Sequence, residues 1–272
     1  MGYRVVLKPL MVGLAPLLAS CGQQTMNKVL IQNGTNGHAP FVSQIESSAG
    51  DSLAFCTGAW IAPQAMLTAD HCVRGKDLIE YYPLSGPNEG VALVGRGVLL
   101  HPTPLNCMQK TLHEREICLE RESLDVALVI FRQAAAPATV PLLRSAGALP
   151  PRATIYGYGT TQCGTATERV LYSDREVQKL NLPLASPTAQ HYTMRFAIQP
   201  QGAVGQVCQG DSGGPWIDEQ TGALFAVTSA GAQFADGTSR LYGAAWESVS
   251  PALLAALKNE NVKAAFAGER RQ

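Results

Sequence analysis

The chain has 272 residues and a formal net charge of zero, from 21 basic and 21 acidic side chains. Hydrophobic residues make up 46% and charged residues 15% of the sequence, which excludes a largely disordered protein. Because basic and acidic side chains are equal in number, the chain has no excess of positive charge with which to bind nucleic acid, and we expect no such partner. The 26 glycines and 17 prolines are spread along the chain, which favours short strands and turns over a helical bundle.

Residues 1–20 have the pattern of a secretory signal peptide, with a basic start and an apolar run at 10–19 that is too short to span a bilayer. The run ends in Leu-Ala-Ser-Cys21, which resembles the lipobox of bacterial lipoproteins. That resemblance implies cleavage before Cys21, lipid on its sulfur and a membrane anchor. An ordinary signal peptide with a cysteine near its cleavage site is the alternative.

The cysteines of an exported chain are expected to form disulfides, because exported proteins reach an oxidising compartment. If Cys21 carries lipid, an even set of six remains, which in an exported chain predicts disulfides, although six cysteines allow fifteen pairings. The sequence has no C-x-x-C pair and no H-E-x-x-H motif, so we expect neither a metal site nor a cofactor. The six are Cys56, Cys72, Cys107, Cys118, Cys163 and Cys208.

Strand-like runs occupy the first half of the chain after residue 40, at 41–45, 78–82 and 91–100. Between them stands Leu-Thr-Ala-Asp-His71-Cys72, preceded by a Cys56-x-Gly-x-x-Ile strand. This pair of segments resembles the histidine motif of the trypsin/chymotrypsin serine protease family. The resemblance implies that His71 is the catalytic base and that Cys56 bonds to Cys72. Asp70 departs from the family pattern, and a carboxylate there could raise the pKa of His71.

A polar insertion at 101–122 contains Cys107 and Cys118, and we predict that it is a surface loop closed by its own disulfide. Asp125-Val-Ala-Leu follows, an aspartate at the start of an apolar run. Burying a carboxylate is costly unless its charge is paired. The segment resembles the family's aspartate motif, which implies that Asp125 orients His71. An aspartate that only caps a buried strand is the alternative.

The second half begins after an Ala- and Pro-rich connector at 134–151 and carries the nucleophile segment Cys208-Gln-Gly-Asp-Ser-Gly-Gly-Pro. A tight turn between two strands would explain it without chemistry. With the other motifs, it implies that Ser212 is the nucleophile and that the N–H groups of Gly210 and Ser212 form the oxyanion hole. In the family that these motifs resemble, the cysteine at this place usually bonds to one that follows the nucleophile. No cysteine follows Cys208 here, and Cys163 is the only one left unassigned, so we predict a Cys163–Cys208 bond.

Further strands are predicted at 154–160, 169–180 and 192–198, and a hairpin at 215–229 that turns at 219–222. Ser229-Ala230-Gly231 resembles the family segment whose backbone pairs with substrate. The resemblance also implies that Gln206, six residues before Ser212, stands at the family's specificity position, where trypsin-like members carry Asp. A neutral Gln206 predicts no strong preference for Lys or Arg. A C-terminal helix should begin near Ser250, bury a stripe with residues 253, 254 and 257, and end at Gly268.

The resemblance therefore implies an all-β fold of two six-stranded antiparallel β-barrels with a C-terminal α-helix. We expect a signal peptide at 1–20, a lipidated tether or short propeptide at 21–30, a barrel with His71 and Asp125 at 31–136, and a barrel with Ser212 at 137–272. The order of these three residues is that of chymotrypsin-type proteases. We expect a serine endopeptidase acting on protein or peptide substrates, and the alternative is a catalytically inactive binding protein on the same scaffold.

Two expectations concern the cellular form of the protein. The start Ile31-Gln-Asn-Gly resembles the first residues of activated family members, in which a freed amine pairs with the aspartate before the nucleophile, here Asp211. Cleavage before Ile31 would activate such a zymogen and release it from its anchor. We expect a monomer at the bacterial outer membrane or in the periplasm, with release to the exterior after such a cut.

Overall fold

The structure is a computed structural model that describes residues 35–36, 39–50, 52–82, 91–101, 125–134, 140–144, 150–159, 178–183, 207–233, 239–246 and 250–264. The predicted signal peptide, the tether at 21–30, most of the insertion at 101–122 and the predicted strand at 192–198 lie outside these residues. Among the described residues, no helix has the length and hydropathy that a membrane crossing requires.

Six antiparallel strands in the first half of the chain close into a barrel. Their bounds are β2 Val42–Ala49, β3 Ser52–Ala62, β4 Ala65–Thr68, β5 Leu78–Tyr81, β6 Leu93–Leu99 and β7 Ala127–Phe131. Around the barrel they follow the order β2-β3-β4-β7-β6-β5. The strand β2 pairs with both β3 and β5, which completes the ring. All four residues of β4 are buried, as a short uninterrupted apolar run in a barrel predicts.

Aromatic rings fill this barrel. Trp60 and Phe131 are fully buried, and their ring centroids lie 5.0 Å apart. The indole N–H of Trp60 donates to the hydroxyl of Ser43 at 2.9 Å, so the buried polar atom of this large side chain has an acceptor. The barrel is therefore a packed core that can hold the segments at its rim in place.

Five strands from the second half of the chain and one short strand from residues 35–36 form a six-stranded antiparallel sheet. Its strands are β1 Thr35–Asn36, β8 Arg152–Gly157, β9 Gln178–Pro183, β10 Pro215–Asp218, β11 Leu224–Gln233 and β12 Ser239–Ala245. They lie side by side in the order β1-β9-β8-β10-β11-β12. β1 comes from the start of the described chain yet pairs with β9. The turn from β10 to β11 lies where the hairpin was predicted, with Gly222 at a φ of 71°.

A large hydrophobic cluster contains residues from both units. It includes Leu67 and Leu128 from the barrel, Leu224 and Val227 from β11, and Leu257 near the C-terminus, all at most 4% exposed. Burial of apolar surface on this scale stabilises the contact between the units. The segments that β4, β7 and β11 carry are consequently fixed relative to one another.

The chain contains two described helices, α1 (Asp70–Val73) and α2 (Ser250–Asn259). The predicted start of the C-terminal helix near Ser250 is confirmed, but the predicted end at Gly268 is wrong because the helix stops at Asn259. Asn261 adopts a left-handed φ of 53°, its N–H bonds to the Lys258 carbonyl, and the Val262 N–H bonds to the Leu257 carbonyl. These bonds form a Schellman cap in which asparagine takes the place that glycine usually fills.

The apolar stripe of α2 is narrower than predicted. Leu253 and Leu257 are buried in the shared cluster, whereas Leu254 is 49% exposed. The fold class is confirmed in its main features, since the described chain is mostly β, with a closed six-stranded barrel and a C-terminal helix.

Candidate active site

The predicted bond between Cys56 and Cys72 is present, with an S–S distance of 1.98 Å. It joins β3 to α1, the single helical turn that carries His71 directly after β4. The two sulfur atoms lie close to the His71 ring, but they are bonded to each other and are therefore not available as thiolate ligands for a metal. The disulfide holds the histidine turn against the barrel wall.

His71 and Asp125 are brought together as the sequence predicts. The ring nitrogen Nδ1 lies 2.8 Å from Asp125 Oδ2, and the backbone N–H of His71 donates to Oδ1 at 3.0 Å. A carboxylate can only accept in this contact, so Nδ1 carries the proton and Nε2 is left with a lone pair in the neutral ring. The His71 side chain is 38% exposed and that of Asp125 only 5%.

The charges of this pair stabilise each other. Partial desolvation lowers the pKa of His71, but the Asp125 charge and the hydrogen bond to it outweigh this effect and raise the pKa above its usual range. Burial raises the pKa of Asp125, but the charge of His71 and the hydrogen bonds from His71 and Ser229 reverse the direction and lower it. Asp125 is consequently ionised at neutral pH, and His71 is a stronger base than a free imidazole.

Ser229 is a third member of this group that the sequence did not reveal. Its hydroxyl donates to Asp125 Oδ2 at 2.6 Å, and the residue is buried. The register of β11 against β12 shifts between Thr228 and Ala230, which marks a bulge at Ser229. Bulges re-aim side chains, and this one directs a hydroxyl to the carboxylate. The prediction had concerned only the backbone of this segment.

The nucleophile segment lies against the histidine turn. The Ser212 carbonyl accepts the N–H of Thr57 at 2.7 Å and lies 3.8 Å from the Sγ of Cys72, the neighbour of His71. Gly213 has a φ of 83°, and a Cβ there would lie 2.1 Å from the hydroxyl of Thr68. Only glycine permits this backbone conformation at so close an approach to β4.

Within the described part of the chain, no hydrogen bond joins the Ser212 hydroxyl to His71. Catalytic hydrogen bonds between a nucleophile and its base are often long in proteins without substrate, and they tighten when substrate binds. The structure thus places the histidine, the aspartate and the serine turn side by side, with the first two directly bonded.

Gly210 and Ser212 each present a backbone N–H that has no acceptor among the described residues. Gly210 has a φ of 98°, and a Cβ at this position would lie 3.0 Å from the Cα of Gly159. The left-handed conformation is thus combined with close packing, which makes glycine necessary here. Two donors in one short turn are the arrangement that stabilises a developing oxyanion.

Asp211, between these two donors, is completely buried. Its Oδ1 accepts the N–H of Gly159 and its Oδ2 the N–H of Cys208, both at 2.7 Å. Neither Gly157 nor Gly159 has room for a Cβ, because Asp211 atoms would lie 2.1 and 2.4 Å away. The Tyr-Gly-Tyr-Gly segment therefore uses its glycines to form a backbone cradle for this carboxylate.

Asp70 is held by a partner other than His71. It forms a two-pronged ion pair with Arg74, with distances of 2.5 Å from Nε to Oδ2 and 2.9 Å from Nη2 to Oδ1. Burial raises the pKa of Asp70, and the guanidinium only partly offsets this. The Asp70 charge still contributes to the raised pKa of His71, less than Asp125 does. Asp70 therefore raises the pKa of His71, in the direction that the sequence analysis predicted.

Several predicted residues lie outside the described part of the chain. Cys208 is disulfide-bonded, but its predicted partner Cys163 lies outside. The remaining predicted residues that fall outside are Cys21, Ile31, Cys107, Cys118 and Gln206.

The predicted substrate-binding residue Gly231 is described. It lies in β11, where its backbone pairs with Leu241 of β12.

Comparisons with known proteins find trypsin and other proteases. A family model described as Trypsin matches residues 29–248. A protein named Trypsin from Saccharopolyspora erythraea is 29% identical over 197 residues, which cover 66% of this chain and 77% of that protein. The structure resembles HL collagenase at a TM-score of 0.56 and 18% identity, over 86% of this chain and 100% of that one.

A second similar structure is the protease Anisep from Arthrobacter nicotinovorans, with a TM-score of 0.50 and 13% identity. It is matched over 80% of this chain and 93% of its own. At these identities the two structural matches bear on the fold alone.

Proposed function

This chain belongs to the trypsin family of serine proteases, and on that premise we propose that it is an endopeptidase that works through Ser212, His71 and Asp125. The observation that carries the proposal is the 2.8 Å bond between His71 Nδ1 and a buried, ionised Asp125, beside a glycine-rich serine turn. A histidine oriented by a carboxylate is the base that a serine hydroxyl requires.

In the proposed reaction, Ser212 Oγ attacks the carbonyl carbon of a peptide bond while His71 Nε2 takes the hydroxyl proton. His71 then donates that proton to the leaving amine as the C–N bond breaks, which leaves an acyl group on Ser212. Water, deprotonated by His71, then attacks the acyl carbon. His71 returns that proton to Ser212 Oγ as the acyl C–O bond breaks, which releases the carboxylic acid and regenerates the serine hydroxyl. Asp125 keeps its charge throughout and stabilises the imidazolium in both steps.

The negative oxygen that forms during each attack is proposed to bind the N–H groups of Gly210 and Ser212. Their lack of acceptors among the described residues supports this role. Each such donor is worth about 10²–10³ in rate in enzymes of this kind. Extended substrate is proposed to pair with the backbone of Ser229 and Gly231, and Gln206 is proposed to contact the side chain before the cleaved bond without favouring Lys or Arg.

We also propose that the protein is exported, lipidated at Cys21, and made as a zymogen. Cleavage before Ile31 would free an amine for Asp211, whose carboxylate is already oriented by two backbone N–H groups. The remaining cysteines are proposed to pair as Cys107–Cys118 and Cys163–Cys208. N-terminal sequencing of active protein tests whether the chain is cleaved before Ile31. Active protein that begins at Cys21 would rule out this activating cleavage.

Digestion of casein tests the proposed activity against the inactive-scaffold alternative. Protein purified with its N-terminus at Ile31, and separately with its N-terminus at Cys21, is incubated with casein beside the matching Ser212→Ala variants. The proposal expects peptides from at least one wild-type form and none from either variant. Intact casein with both wild-type forms would favour the inactive binding protein.

A further inference from the structure

Thr57, a fully buried residue in the middle of β3, touches the nucleophile segment with two of its groups. Its backbone N–H donates to the Ser212 carbonyl at 2.7 Å. Its hydroxyl donates to the Gly210 carbonyl at 2.8 Å and accepts the N–H of Tyr158 at 3.0 Å. One side chain of the first barrel therefore links the turn that carries Ser212 to the end of β8 in the second unit.

The hydroxyl of Thr57 completes the restraint of one peptide group. The carbonyl of the Gly210–Asp211 peptide is held by Thr57, and its N–H donates to the Cys208 carbonyl at 3.1 Å. A peptide that is hydrogen-bonded at both ends cannot rotate without losing one of the bonds. The Gly210 N–H belongs to the preceding peptide, which Gly210 connects to this one at a φ of 98°. Because glycine has no side chain to restrain its backbone, the direction of that N–H depends on how the Gly210–Asp211 peptide is held.

The other groups of Thr57 keep its hydroxyl in place. Its carbonyl accepts the hydroxyl of Thr68 at 2.8 Å, and its backbone pairs with Gln44 of β2. The donor and one acceptor site of the Thr57 hydroxyl are both used, which is what a buried hydroxyl needs. A rigid barrel strand thereby sets the position of the oxyanion donors.

We propose that Thr57 is a positioning residue for the oxyanion hole, acting through the hydrogen bond from its hydroxyl to the Gly210 carbonyl. This inference rests on the proposed function. Thr57 does not touch the reacting atoms. It fixes the peptide next to Gly210 so that the Gly210 N–H points at the developing negative charge before substrate arrives, which is the preorganisation on which such electrostatic catalysis depends.

The test measures how fast a fluorophosphonate inactivates Ser212, because that reaction builds negative charge on a phosphoryl oxygen in the oxyanion hole and needs no known substrate. In Thr57→Val the side-chain shape is retained and the hydroxyl is lost. We expect inactivation to slow by about 10-fold or more, a fraction of the 10²–10³ that a whole oxyanion donor supplies. Thr57→Ser restores the hydroxyl and should return the rate to within about threefold of wild type.

Ser43→Ala is the matched control. It also removes one buried hydroxyl of the barrel, the acceptor of the Trp60 indole N–H, and among the described residues this hydroxyl makes no hydrogen bond to the serine turn. We expect a drop in melting temperature similar to that of Thr57→Val, with an unchanged inactivation rate. If Thr57→Val does not fold, Thr57→Ala replaces it and its rate is interpreted in the same way.

Three results would overturn the inference while leaving the proposed function intact. The first is a wild-type rate in the hydroxyl-free variant, and the second is an equal slowing in Ser43→Ala, which would attribute the effect to lost stability. Failure of Thr57→Ser to restore the rate would also overturn it. A wild-type protein that does not react at all, with its N-terminus at Ile31 or at Cys21, would instead refute the proposed function and this inference with it.

Discussion

Asp125 is a single residue whose charge the fold stabilises, although an unpaired buried carboxylate is costly in free energy. It is 4% exposed, yet its two oxygens accept three hydrogen bonds, two from His71 and one from Ser229. The charge of His71 and these hydrogen bonds both favour the ionised carboxylate, which is why the pKa of Asp125 is lowered in spite of burial. The negative charge is then available to the imidazole at neutral pH.

The raised pKa of His71 predicts the pH dependence of the reaction. Only the neutral imidazole can accept the Ser212 proton, so activity should rise as His71 loses its proton with increasing pH. Because the pKa is raised, half of the maximal rate should be reached above pH about 6.5, the ordinary value for histidine. The rate of fluorophosphonate inactivation between pH 5 and pH 9 measures this midpoint.

Asp125→Asn provides the comparison for that profile. It removes the charge that raises the histidine pKa, so the midpoint should move to lower pH. The maximal rate should fall by about 10⁴-fold, a figure carried over from other serine proteases of this mechanism. A wild-type midpoint clearly below pH 6.5, or an unchanged midpoint in Asp125→Asn, would contradict our account of this pair.

At the scale of elements, short stretches of unusual backbone position the site. The bulge at Ser229 in β11 re-aims a hydroxyl, and the left-handed residues Gly210 and Gly213 bring the serine turn against β3 and β4. Such conformations are costly for residues with side chains. The regular strands of the barrel supply the rigid support, and the irregular segments between them carry the reactive groups.

Two glycine variants separate backbone strain from close packing. Gly213 and Gly222 both have positive φ, but a Cβ at Gly213 meets Thr68 at 2.1 Å, whereas a Cβ at Gly222 meets nothing within 4 Å. Gly222→Ala should therefore cost about 1–2 kcal/mol, from the left-handed conformation alone. Gly213→Ala should cost at least about 4 kcal/mol in unfolding free energy. Urea denaturation measures both, and equal losses would argue against the close contact with β4.

At the scale of the whole molecule, the shared hydrophobic cluster makes the two halves of the chain dependent on each other. Leu67, Leu128, Leu224 and Leu253 belong to this one cluster, although they come from four different elements. The candidate site lies between the halves, with His71 and Asp125 from one and Ser212 and Ser229 from the other. Its geometry therefore depends on the halves staying together.

This dependence predicts a single cooperative unfolding transition. Trp60 lies in the barrel, whereas Trp216 and Trp246 lie in the second half of the chain. In Trp60→Phe the fluorescence reports the second half, and in a Trp216→Phe/Trp246→Phe variant it reports the barrel. For each variant, the urea midpoint from fluorescence should equal the midpoint from far-UV circular dichroism. Separate midpoints would show that the halves unfold independently.

The sequence predicted the parts of the molecule that depend on residue type at short range. The segments around His71, Asp125 and Ser212 each combine a reactive group with its neighbours, and the Cys56–Cys72 bond followed from the same motif. The strand β12 and the hydroxyl bond of Ser229 were missed, because both depend on pairing with distant residues. The end of α2 was misplaced, because Asn261 takes a cap conformation in which glycine was expected.

The measurement that tests our account most directly is the site of reaction with a fluorophosphonate, mapped by peptide mass spectrometry. We predict one adduct per molecule, on Ser212, in protein whose N-terminus is at Ile31 or at Cys21. The adduct should be absent in Ser212→Ala and should form much more slowly in His71→Ala. An unlabelled Ser212 in both forms of the wild-type protein, or labelling at equal speed without His71, would contradict the account.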